Sequence, residues 1–133
     1  MDIFKASQSG NLETLQKILN SGIDPNIQDE WNWTALMWAL REGHPSCVEA
    51  LLQADADHNI QDRSGQTALM FASRWGYLSY VEALLRTGAQ PNIKTQWGWT
   101  ALMFASMNGH LHCVEALLQA GAQPNIKRTV IQT

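Results

Sequence analysis

The chain of 133 residues predicts an all-α repeat solenoid, in which helix-turn-helix units stack in a row and are joined by β-hairpin loops. Three observations carry that expectation. A block close to 33 residues long is written three times over, with a shorter version in front of it. Within each block the apolar residues recur at spacings of three and four, which puts them on one stripe of a helix. Glycines fall at matching places in every full block, where a chain reversal needs a residue that tolerates the left-handed conformation.

The period divides the chain into a cap-like unit at 1–28, full units at 29–61, 62–94 and 95–127, and a tail at 128–133. Met1 aligns with Thr34, so the first unit lacks its hairpin. Lys5, Gln8, Asn11, Glu13 and Gln16 make that unit more polar than its successors, as the end of a solenoid requires. In each full unit a threonine comes before the first apolar run. Thr34, Thr67 and Thr100 precede Ala35-Leu36-Met37, Ala68-Leu69-Met70 and Ala101-Leu102-Met103, where a hydroxyl can accept from an orphan N–H and start a helix. Gly43, Gly76 and Gly109 end that short helix.

A second helix then presents Val48, Leu51 and Leu52, or Val81, Leu84 and Leu85, or Val114, Leu117 and Leu118. Gly88 and Gly121 close it, and Asp55 stands in their place in the 29–61 unit, where it must enter the left-handed region at some cost. The pairs Asn59-Ile60, Asn92-Ile93 and Asn125-Ile126, with Asn26 one period earlier, lead into an extended arm and a hairpin. The hairpin tips are Glu30 to Trp33, Arg63 to Gln66 and Gln96 to Trp99.

Read in one frame, the full units are DEWNWTALMWALREGHPSCVEALLQADADHNIQ, DRSGQTALMFASRWGYLSYVEALLRTGAQPNIK and TQWGWTALMFASMNGHLHCVEALLQAGAQPNIK. This series resembles the ankyrin repeat, whose pattern has a T-P-L-H opening, a Gly-His turn, a V-x-x-L-L helix and a G-A-D-x-N ending. The departures are regular. Ala35, Ala68 and Ala101 replace the usual proline and keep high helix propensity. Met37, Met70 and Met103 replace the usual histidine, exchanging hydrogen bonds between units for soft apolar packing.

Composition bounds the function. A net charge of −3 argues against non-specific nucleic-acid binding, which needs a basic stripe. No apolar run approaches the roughly 20 residues of a membrane span. The opening MDIFKASQSG lacks the apolar stretch of a signal peptide, so the expected compartment is the cytoplasm or nucleus. Cys47 and Cys113 hold equivalent positions two units apart, roughly 16–20 Å at ordinary helix spacing, beyond the reach of a disulfide. Free thiols packed on the second helices are expected.

The same frame bears on catalytic and metal-binding patterns. His110, His112 and Cys113 lie close together, but Tyr77 occupies the position of His110 one unit earlier, and zinc asks for three or four converging ligands. No metal or other cofactor is expected. The chain has no Gly-rich phosphate loop followed by lysine, no G-x-S-x-G and no H-E-x-x-H. Glu49, Glu82 and Glu115 repeat once per unit and read as a solvated face. The expectation is a binding protein with no catalytic residues.

The resemblance implies where binding would occur, across the hairpin tips and the exposed face of the first helices on the concave side. Those positions are Trp31 and Trp33, Arg63 and Gln66, Trp97 and Trp99 on the tips, with Glu30, Ser64 and Gln96 beside them. On the first helices they are Arg41 and Glu42, Arg74 and Trp75, and Met107 and Asn108. Trp38, with Phe71 and Phe104 as its counterparts, reads as a core aromatic. Trp33 and Trp99 also suit packing on a neighbouring hairpin. Half-exposed, the four tip tryptophans would show roughly 300–500 Å², as large as the main patch of an ordinary monomer.

Trp and Arg dominate binding hot spots, and this mixture suggests an extended peptide or protein surface with apolar and acidic side chains. Two other ligand classes fit the residue types: a methylated lysine caged by Trp31, Trp33 and Glu30 or Glu42, and a small molecule or nucleotide stacked on a tip tryptophan with Arg63 or Arg74 on its phosphate. Arg128 to Thr133 stand in register with Thr95 to Thr100, and the last unit keeps the apolar set of the internal ones. A longer array or self-association through that end is the expectation there.

Overall fold

A computed structural model describes residues 1–124 and contains eight helices in that span. They form four pairs: α1 (Ile3–Ser9) with α2 (Leu12–Asn20), α3 (Ala35–Glu42) with α4 (Pro45–Gln53), α5 (Ala68–Arg74) with α6 (Leu78–Arg86), and α7 (Ala101–Met107) with α8 (Leu111–Gln119). The first helices pack in a row, α1 on α3, α3 on α5 and α5 on α7. Behind them α2 packs on α4 and α6 on α8, while a cleft lined by Val48, Leu52, Tyr80 and Ala83 lies between α4 and α6. No helix among the described residues is long and apolar enough to cross a membrane.

Each first helix of a full unit starts as its threonine predicts. The hydroxyls of Thr34, Thr67 and Thr100 accept from the N–H groups of Met37, Met70 and Met103. Proline at N1 starts α4, where φ is already suited to a helix and no donor is lost. The first helices end on Gly43, Gly76 and Gly109, all left-handed with φ of 73°, 73° and 74°. Asp55 takes φ 62° in the place of a glycine, and Asn32 takes φ 60° at a hairpin tip where Gly65 and Gly98 stand one and two units later.

The core runs the length of the stack. Ala6, Leu15, Leu36, Leu40, Val48 and Leu51 continue into Leu69, Phe71, Val81 and Leu84, then into Ala105 and Leu117. Met37 and Met70 are buried in it, as apolar packing in place of histidine requires; Met103 is half-buried. Cys47 and Cys113 are buried free thiols. Burial pushes both thiols up in pKa, with the charge of Glu82 adding to the effect on Cys113.

The hairpin loops joining the units hold their shape through local bonds. Among the described residues no β-strand forms, and each tip is closed by two backbone bonds: Asp29 N to Trp33 O with Asn32 N to Asp29 O, Asp62 N to Gln66 O with Gly65 N to Asp62 O, and Thr95 N to Trp99 O with Gly98 N to Thr95 O, at 2.8–3.0 Å. Backbone bonds from Arg63 N to Trp31 O and from Gln96 N to Ser64 O join neighbouring tips, and side-chain amides add to them. Gln61 Nε2 donates to Gly65 O across its own tip and to Lys94 O in the next unit, at 2.9 and 3.0 Å. Gln28 does the same towards Asn32 O and Gln61 O.

The recurring asparagines explain themselves in the stack. Asn26, Asn59 and Asn92 each accept through Oδ1 from a backbone N–H one unit along, those of Asp57, Gln90 and Gln123, at 2.6–2.9 Å. Asn92 Nδ2 also donates to Gly121 O at 3.1 Å. His44 Nε2 donates to Gln8 O and His110 Nε2 to Arg74 O, so these turn histidines tie the 29–61 unit to the cap and the 95–127 unit to the one before it. The expectations for Asn125, Ile126 and the 128–133 tail fall outside the described residues.

Candidate functional site

The hairpin tips owe their shape to one residue per unit. Asp29 Oδ1 accepts from the N–H groups of Trp31 and Trp33, and its Oδ2 accepts from Trp38 Nε1 at 2.8 Å. Asp62 repeats the arrangement with Ser64 and Gln66, and Thr95 Oγ1 with Trp97 and Trp99. A side chain that bonds its own backbone two and four residues on fixes a tight turn. The turn then presents the tip side chains towards the first helices.

Between tips and helices lie two open pockets in adjacent units. The first, of about 490 Å³, is lined by Trp31, Trp33, Trp38 and Arg41 of the 29–61 unit and by Phe71 and Trp75 of the next. The second, of about 320 Å³, is lined by Trp97, Trp99 and Phe104, with Met107, Asn108, Ser64 and Thr95 completing it. Gln66 and Arg74 belong to both pockets and form the wall between them.

Aromatic rings make the floor. Trp33 lies 4.5 Å from Trp38 and 4.9 Å from Phe71, centroid to centroid, so it packs on its own helix and on the next unit. Phe71 and Trp75 stack at 5.7 Å with planes 8° apart, and Trp99 meets Phe104 at 5.3 Å. Trp31 and Trp97 are different, at 52% and 49% exposure. They are the free walls of the groove.

Two guanidinium groups lie over those rings. Arg41 is 5.7 Å from the centroids of both Trp33 and Trp38, and Arg74 is 5.2 Å from Phe104 and 5.9 Å from Trp75. Arg41 has Glu42 at 3.8 Å as an exposed partner. Arg74 has no carboxylate within salt-bridge distance among the described residues. It therefore brings an uncompensated positive charge to the point where the pockets meet.

Most of the residues expected to bind are gathered here: Trp31, Trp33, Arg41, Gln66, Arg74 and Trp75 around the first pocket, and Trp97, Trp99, Met107 and Asn108 around the second. Glu42 and Arg63 line neither. Trp38 corrects the expectation of a core aromatic. It is half-buried and lines the first pocket, held there by Asp29. The spacing from Trp38 to Arg41, and from Phe71 to Arg74 and Trp75, is the three or four residues that put side chains on one helix face.

Elsewhere Leu111 and Leu118 are exposed on α8, at 64% and 44%. Among the described residues no three His, Cys, Asp or Glu side chains converge as metal ligands would, and the His110 ring is engaged with the Arg74 carbonyl.

Comparison with known proteins agrees with the helix pairs. A profile described as "Ankyrin repeats (3 copies)" matches residues 3–95, and one described as "Ankyrin repeat" matches residues 97–129. The chain is similar over 43 residues, at 44% identity, to the Ankyrin repeat protein nuc-2 of Neurospora crassa, a match covering 32% of the chain and 4% of that protein. It is 47% identical over 47 residues to the Ankyrin repeat domain-containing protein 29 of Danio rerio, covering 35% of the chain and 16% of the relative. These similarities span small parts of much longer proteins.

Proposed function

The chain belongs to the ankyrin-repeat family, and from that premise we propose that it binds an extended peptide or protein segment in the groove between its hairpin tips and first helices. One observation carries this reading: two aromatic pockets in adjacent units share Arg74 and Gln66 as a common wall. A continuous apolar groove with a basic centre suits a chain that crosses several units and presents apolar and acidic side chains. The role is binding, and no catalytic step is assigned to these residues.

The lining of the pockets bears on the other two classes as well. For methylated lysine, the rings of Trp33 and Trp38 already carry the Arg41 guanidinium, so a second cation would meet Arg41 and Arg74. Glu30 and Glu42, the acids such a cage would need, are not among the residues lining the pocket. For a nucleotide, Arg63 stands outside both pockets, leaving Arg74 as the one arginine lining the second.

The test is affinity capture from a cytosolic extract with the parent and a Trp31→Ala, Trp97→Ala variant. These two tryptophans are exposed, so circular dichroism and the melting temperature should match the parent, and the captured partner should be lost. A partner held equally by both proteins would overturn the proposal.

A further inference from the structure

Resting on that reading, we propose that the groove takes a polyproline-II segment bearing two apolar side chains three residues apart, with a carboxylate between them. The spacing comes from the stack. The two pockets lie one unit apart, and α3, α5 and α7 pack side by side, which sets that step at about 8–10 Å. A polyproline-II chain turns once in three residues and rises about 3.1 Å for each, so side chains i and i+3 point the same way roughly 9 Å apart.

Other backbones miss the step. A β-strand returns to one face at the second and fourth residue, roughly 7 or 13 Å along. A helix advances only about 5.4 Å per turn, and its i and i+7 side chains, about 10.5 Å apart, overshoot the step and carry a further side chain from the turn between them onto the wall at Arg74. The groove is also built for a chain that pairs with no strand, since no β-strand is present among the described residues to offer an edge. Its walls are instead the exposed indoles of Trp31 and Trp97. An indole gives a flat apolar face and one N–H donor, which suits the solvated carbonyls of a polyproline-II chain.

The carboxylate follows from Arg74. This guanidinium stands on the shared wall with no carboxylate in salt-bridge reach among the described residues, whereas Arg41 at the far side of the first pocket has Glu42. A ligand with apolar groups in both pockets must pass over Arg74. Its two intervening residues project to the sides, and an acidic one on the helix side meets that charge.

The experiment uses the full chain and synthetic fluorescein-labelled peptides, with two leucines placed two, three or four residues apart in a proline-rich host and glutamate between them. The three-residue series is repeated with glutamine and with lysine in place of glutamate. Fluorescence polarisation should show the three-residue glutamate peptide binding about tenfold more tightly than the other spacings and than its glutamine form. Arg74→Gln should abolish the preference for glutamate and leave the preference for spacing. Equal binding at all spacings, preference for two or four, indifference among glutamate, glutamine and lysine, or no binding at all would each overturn the proposal. Such a result with partner capture still dependent on Trp31 and Trp97 would leave groove binding standing; loss of that dependence as well would remove both.

Discussion

Arg74 at the end of α5 lies over the ring of Phe104 in α7, with its guanidinium carbon 5.2 Å from the ring centroid. The side chain of one unit thereby covers the aromatic floor of the next, and the same group walls two pockets. Position and charge make separate contributions there. A solvent-exposed cation–π contact is worth about 0.5–1 kcal/mol.

Arg74→Ala should therefore lower stability by no more than about 1 kcal/mol, measured by urea denaturation. Its effect on binding should be larger and should depend on salt. If the captured partner carries a carboxylate to this point, affinity of the parent will fall as salt rises and affinity of the variant will be much less sensitive. Parallel salt dependence in the two proteins would show that Arg74 does not meet a charge.

Gly76 and Gly109 offer a controlled comparison. Both are left-handed, at φ 73° and 74°, but a Cβ on Gly76 would lie 2.5 Å from His110 Nδ1, while no described residue lies within 4 Å of one on Gly109. Gly109→Ala should cost about 1–2 kcal/mol for the backbone conformation alone. Gly76→Ala should cost more, because the ring that donates to Arg74 O must move. Combining it with His110→Ala should show the two substitutions to be non-additive in a double-mutant cycle.

Asn59 latches the first full unit onto the second by accepting from Gln90 N at 2.9 Å. Asn59→Ala leaves that N–H without its partner and should cost about 1–2 kcal/mol. Because a solenoid is held by contacts between neighbours, the loss should be local. Hydrogen exchange at the Gln90 amide should speed up while the amides of α1 keep their protection.

The buried thiols predict an alkaline limit to stability. Burial raises the folded pKa of Cys47 and Cys113, so the folded chain holds those protons more tightly than the unfolded one. Their contribution is complete below roughly pH 8.5, where an unfolded thiol ionises, and is lost as pH rises through the folded values. The melting temperature should fall above that pH, and a Cys47→Ala, Cys113→Ala variant should fall less steeply. Tyr80, also raised by burial and then by Glu49 and Tyr77, adds to the same trend at higher pH.

The period made the fold legible, because a threonine cap or a left-handed glycine has one local meaning and recurs where the chain needs it. The groove was partly legible for the same reason: unrepeated residues such as Trp31, Arg74 and Trp97 stand out against the repeated ones. The aromatic counterparts Phe71 and Phe104 make Trp38 read as core, and the Asp29 carboxylate that turns its indole towards the pocket is local only after the hairpin has formed. The latches of Asn26, Asn59 and Asn92 were visible as a pattern without a partner. Each bonds a residue 31 positions further on, and that pairing exists only once the units have stacked.

Those same latches restrict how the molecule can change in length. The bonds from Asn59 to Gln90 and from Gln61 to Lys94, and the ring of His110 on Arg74, all count residues between equivalent places in successive units. Inserting a few residues within an arm would put donor and acceptor out of phase at that joint. Inserting a whole unit would keep every joint in phase and add another stretch of groove. Evolution can therefore lengthen or shorten this protein cheaply in only one denomination, and each whole unit alters the length of the groove.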